Sequence, residues 1–88
     1  MSVLKEISIA QNRLCYCLTE NVREDGSVTY GVEVTTTLFG TPEVSAVDDI
    51  SPDRQFAEKF LNMLADNLVL PSTLKEVAEE FVASYYTV

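Results

Sequence analysis

The chain has 88 residues, 47% of them hydrophobic, with 14 acidic and 6 basic side chains and a net charge of -8. That describes one domain, large enough to bury a core without staples and too apolar for disorder. The charge repels phosphate backbones and anionic bilayers, so direct binding to nucleic acid or membrane is not expected.

The first stretch, Met1 to Ile7, has no basic region leading into an apolar one, so it does not read as a signal peptide. No run approaches the ~20 apolar residues that span a bilayer. Two cysteines make no disulfide framework, and the cytoplasm is the expected compartment. Val3 to Ala10 reads as a strand with Val3, Ile7 and Ile9 on one side, and Gln11-Asn12 as a tight turn. In the next strand Leu14, Tyr16 and Leu18 share one face, while Cys15 and Cys17 share the other. Arg23-Glu24-Asp25-Gly26-Ser27 is the strongest turn signal, because Asp-Gly supplies a positive φ.

Val28 to Thr37 alternates cleanly. Val28, Tyr30, Val32 and Val34 point towards a core; Thr29, Gly31, Glu33, Thr35 and Thr37 point towards solvent. Gly40-Thr41-Pro42 turns the chain, and Glu43 to Val47 is a candidate fourth strand.

The rhythm changes at Ile50-Ser51-Pro52, from alternation to a three-to-four residue recurrence. Ser51 is suited to cap a helix, Pro52 to its first position and Asp53 to its dipole. Phe56, Ala57, Phe60, Leu61, Met63, Leu64 and Leu68 form one stripe at about 100° per residue. Asn67 is a stop. Pro71-Ser72-Thr73 opens a second helix with the stripe Leu74, Val77, Ala78, Phe81, Val82 and Tyr85. The short connection predicts antiparallel neighbours, and each stripe is too wide for a two-helix seam, so both must also cover the sheet. The expected fold is α+β, ββββαα. An antiparallel meander of three to four strands (3–50) precedes an antiparallel helical hairpin (51–86) on one sheet face, in a single domain spanning 1–88.

The succession Tyr30-Gly31-Val32-Glu33-Val34, then Asp49-Ile50-Ser51-Pro52-Asp53, then Leu70-Pro71-Ser72-Thr73-Leu74-Lys75-Glu76-Val77 resembles a family of short bacterial proteins classed only as a domain of unknown function. The resemblance runs from about Arg13 to Val82. It implies a bacterial cytosolic protein and brings no activity or catalytic residues with it.

The chain contains no histidine, which removes the usual neutral-pH acid–base group and the Ser/His/Asp and Cys/His arrangements. Cys15 and Cys17 supply only half of a tetrahedral zinc site, leaving redox or metal chemistry to a dimer; the plainer reading is two small apolar side chains. Glu43, Asp48, Asp49 and Asp53 gather near the strand-to-helix junction, where a divalent cation is one reading and helix-dipole complementarity the other. The isolated glycines Gly26, Gly31 and Gly40 make no phosphate-cradling loop. No catalytic residue and no cofactor is expected.

Two surfaces are left. One is the outer sheet face carrying Arg13, Cys15, Cys17, Thr29, Glu33, Thr35 and Thr37, with the edge strand beside it. The other is the acidic junction at Asp48, Asp49 and Asp53. The leading expectation is a non-catalytic module that binds an unknown protein partner or a second copy of itself. The alternative is an acidic mimic of nucleic acid that inhibits a nuclease or DNA-binding protein, of anti-restriction or anti-CRISPR type. Against it, Arg23, Arg54, Lys59 and Lys75 interrupt the acidic rows.

Overall fold

A computed structural model describes residues 3–11 and 13–86, and side chains at 9–10 and 13–84. Four strands are followed by two helices: β1 (Val3–Gln11), β2 (Leu14–Val22), β3 (Val28–Thr36), β4 (Glu43–Ser51), α1 (Arg54–Asp66), a 3-10 turn (Pro71–Thr73) and α2 (Leu74–Tyr86). The strands pair antiparallel in the order β1-β2-β3-β4, so the sheet is a simple meander.

Alternation decides the core face. Leu14, Tyr16 and Leu18 of β2 and Val32 and Val34 of β3 are buried against Phe56, Ala57, Phe60, Leu61, Leu64, Leu74 and Ala78 from the helices. α1 packs mainly over β2 and β3, and α2 over β4. The two helices meet where Phe81 lies against Phe56 and Phe60, with ring centroids 5.2 and 4.8 Å apart. One core therefore holds sheet and both helical stripes, which is the α+β arrangement that the two periodicities predict.

Several local expectations are corrected. Gln11 is the last residue of β1, opposite Leu14, so it is not in the turn. Asn12 lies outside the described residues, and Arg13 carries the reversal with φ 68. The side chains of Val3 and Ile7 lie outside the described ones; Ile9 packs partly buried against the core. β1 shifts register on β2 between Lys5 and Ile7, a bulge that no strict alternation announces. β3 ends at Thr36, leaving Thr37 in the following loop.

β4 runs on to Ser51, past the expected end at Val47, because pairing resumes after a bulge: Val32 faces Val47, but Tyr30 faces Ser51. Ser51 is thus a strand residue rather than the helix cap. Asp53 caps α1, its carboxylate accepting from the Gln55 amide at 3.0 Å. The Ser51 hydroxyl instead accepts from the Asp53 amide at 2.9 Å, bridging strand to helix. Pro52 lies between them, outside the helix.

At the other end of α1, Asn67 is the C-cap, as expected. Leu68 leaves the apolar stripe. The Leu68 amide donates to the Ala65 carbonyl and the Val69 amide to the Leu64 carbonyl, the double bond pattern of a Schellman ending. That geometry puts Leu68 at φ 51, exposed, and swings Val69 into the core in its place. Tyr85 of the second stripe has its side chain outside the described ones. Among the described residues no helix is long and apolar enough to cross a membrane.

Candidate functional site

The outer sheet face is not a uniform solvated surface, as alternation predicts. Cys17, Thr19, Asn21 and Thr29 lie on it and are buried. The β4 bulge, residues 48–50, covers the end of that face holding Thr19, Asn21 and Thr29. A Cβ built on Gly31 would meet the Val47 carbonyl oxygen at 2.1 Å and the Asp48 carbonyl at 2.7 Å. The bulge backbone therefore rests directly on Gly31, which only a residue without a side chain permits. Asn21 donates from Nδ2 to the Asp48 carbonyl at 2.8 Å and fastens the bulge from β2. Arg23 adds an exposed ion pair to Asp49. The Thr19 hydroxyl is buried beneath this cover with no hydrogen-bond partner among the described residues.

The bulge also accounts for the acidic junction. Asp49 pairs with Arg23, Asp53 caps α1, and Asp48 offers its backbone carbonyl to Asn21. Glu43 lies at the opposite end of β4. Among the described residues no group of three or more Cys, Asp and Glu side chains converges as metal ligands would. Two carboxylates elsewhere are likewise held locally. Asp25 accepts from the Ser27 hydroxyl at 2.6 Å and from its amide at 2.9 Å, and these bonds keep its carboxyl below the ordinary range. Glu58 accepts from Arg54 one helical turn away at 3.0 Å.

The turn holding Asp25 closes the β2–β3 hairpin. The Gly26 amide donates to the Arg23 carbonyl, and Gly26 adopts φ 89, so the positive φ expected of Asp-Gly falls on the glycine.

The other half of the outer face is open. Register aligns Cys15, Thr35 and Val44 in one row across β2, β3 and β4, and Cys17, Glu33 and Ala46 in the next. The two thiols, not joined by a disulfide, lie 3.7 Å apart on their shared face. Cys15, Glu33 and Thr35 are half-buried; Val44 and Ala46 are exposed. Arg13 and Thr37 join this end of the sheet, the Thr37 amide donating to the Arg13 carbonyl at 3.4 Å. Beyond them the β3–β4 loop exposes Leu38 at 41% and Phe39 at 61%, the latter matching the 62% of Val44. These values matter because the other large apolar side chains of the sheet, among the described residues, are buried or half-buried.

Of the sequence-selected residues, then, Arg13, Cys15, Glu33, Thr35 and Thr37 fall on the open half. Cys17 is buried within it, and Thr29 lies under the closed half. Sequence reasoning missed Leu38, Phe39, Val44 and Ala46. The signal was an apolar pair in a loop rich in turn residues, followed by a Val-Ser-Ala-Val alternation. Among the described residues no strand pairs with the outer side of β4.

No curated protein and no solved structure matches the chain. A model of the family described as "Family of unknown function (DUF6514)" matches residues 2–84, and the chain belongs to that family.

Proposed function

We propose that this protein is a non-catalytic interaction module that binds another protein chain by adding a strand to β4. The observation that carries this reading is the open edge of β4, uncharged from Val44 to Val47 and flanked by the exposed Phe39 and Val44. Unpaired backbone donors and acceptors along an edge are a template for strand addition, and apolar side chains beside them supply the burial that makes such pairing stable. The bulge at 48–50 would stop the added strand at Val47, because beyond it the ladder leaves the plane.

A nucleic-acid mimic is the weaker reading. Asp25, Asp49, Asp53 and Glu58 are engaged in local contacts, which leaves no evenly spaced row of free carboxylates through them.

Light scattering of the full chain, with capture of partners from native lysate, tests the proposal. A second copy or a captured protein should slow hydrogen exchange at the outward-facing β4 amides of Val44 and Ala46. Ala46→Pro, which removes an outward-facing edge amide, should abolish the association. A strict monomer that captures nothing, or an association indifferent to Ala46→Pro, would overturn it.

A further inference from the structure

A separate concavity lies on the helical side of the molecule. Val47 and Ile50 of β4 and Ala78, Val82 and Ala83 of α2 line a groove of about 400 Å³, with Asp49 and Glu79 also lining it. Ile50 and Ala78 are buried, Val47 and Val82 half-buried, and Ala83, Asp49 and Glu79 exposed. The groove exists because α2 turns two alanines towards β4, where longer side chains would fill the space. Its volume falls within the range of sites that admit side chains of a ligand, roughly 300–1,000 Å³.

The charge around it is one-sided. Glu79 stands on an α2 surface that also exposes Glu76 and Glu80 against the single cation Lys75. Across the groove, Asp49 has the same sign, with Arg23 engaged on it. A second copy of this chain, at net charge -8, would bring acids against acids.

We infer that this groove docks a segment of a different protein, one or two branched apolar side chains flanked by lysine or arginine. The apolar side chains enter between Ile50 and Ala78, and the cations lie against Glu79 and its acidic neighbours. Apolar anchoring supplies affinity, and the acidic rim selects the partner's charge. The inference rests on reading the chain as an interaction module, but uses the side of β4 that faces α2 rather than its strand edge, the two sharing only Val47.

The test titrates the full-length, isotope-labelled chain with a synthetic amphipathic leucine–lysine peptide, alongside a leucine–glutamate peptide of the same pattern. The lysine peptide should shift the amides of residues 47–50 and 78–83, and the glutamate peptide should not. Glu79→Lys, at an exposed position, should weaken the lysine peptide about tenfold and improve binding of the glutamate peptide. Val82→Ala should weaken the lysine peptide several-fold without altering its charge preference. Shifts scattered over the acidic surface, equal binding of both peptides, or indifference to Glu79→Lys each overturn the inference. Such a failure, with the Ala46→Pro result intact, removes the groove and leaves the β4 reading standing.

Discussion

Tyr16→Phe isolates a single buried hydrogen bond between the two halves of the molecule. The Tyr16 hydroxyl donates to the Val69 carbonyl at 3.0 Å, tying a central strand to the segment between the helices. Tyr16 is 0% exposed, so no water can replace the lost donor from bulk solvent. Removing the hydroxyl leaves the Val69 carbonyl unsatisfied, at a cost of about 1–2 kcal/mol. For a domain of this size that lowers Tm by roughly 5–10 °C. Urea unfolding followed by far-UV circular dichroism measures it directly, the chain having no tryptophan. The midpoint should fall while the slope stays unchanged. Burial also pushes the Tyr16 phenol above its ordinary value of 10.0. A raised folded value makes stability flat below that pH and lost as pH rises through the folded value. The variant lacks that group, and the other tyrosines titrate in both proteins, so the two stabilities should converge at alkaline pH. Equal stability at neutral pH, or a difference that does not shrink in alkali, would refute the reasoning.

Gly31→Ala drives a Cβ into the backbone of the bulge, where the Val47 oxygen lies 2.1 Å away, and should cost roughly 2–4 kcal/mol in urea unfolding. An unchanged midpoint would mean that the bulge does not rest on β3. Leu68→Gly should raise stability by about 1 kcal/mol, since a leucine at φ 51 bears the left-handed penalty that glycine avoids; a lower Tm would contradict this. Asp25 is held below the ordinary carboxyl range by Ser27, so its stabilising contribution is present at neutral pH and lost as pH falls through the folded value. In Ser27→Ala, an NMR titration of Asp25 should move towards the ordinary value of 3.8, and an unmoved curve would remove Ser27 as the cause.

The division into a β half and a helical half was legible because burial on one face imposes a period of two on strands and 3.6 on helices. Leu14, Tyr16 and Leu18, or Phe56, Phe60 and Leu64, can be assigned to the core from spacing alone. So can the hairpin at Asp25-Gly26, where local backbone chemistry decides the turn. Helix boundaries were less legible. Ser51 and Asp53 are both competent caps, and the choice fell to Asp53 because Ser51 remains paired with Tyr30. Leu68 fits the stripe by angle, yet the chain must turn there to bring Val69 and Pro71 into the core.

The candidate site was read only in part, for a related reason. Alternation places Cys15, Cys17, Thr29, Glu33 and Thr35 on one face, but it carries no information about what another segment lays over that face. The bulge of β4, separated from Gly31 and Asn21 by many residues, closed one half and left the other open. The groove beside α2 is of the same kind, since Ala78 and Ala83 mark a cavity only once Ile50 is known to lie opposite. What this chain's sequence determines by itself is its elements, its two-layer class and its acidic, histidine-free character, because those follow from composition and local period. Which surfaces are open was decided by the tertiary structure, because exposure depends on contacts between residues far apart in the chain.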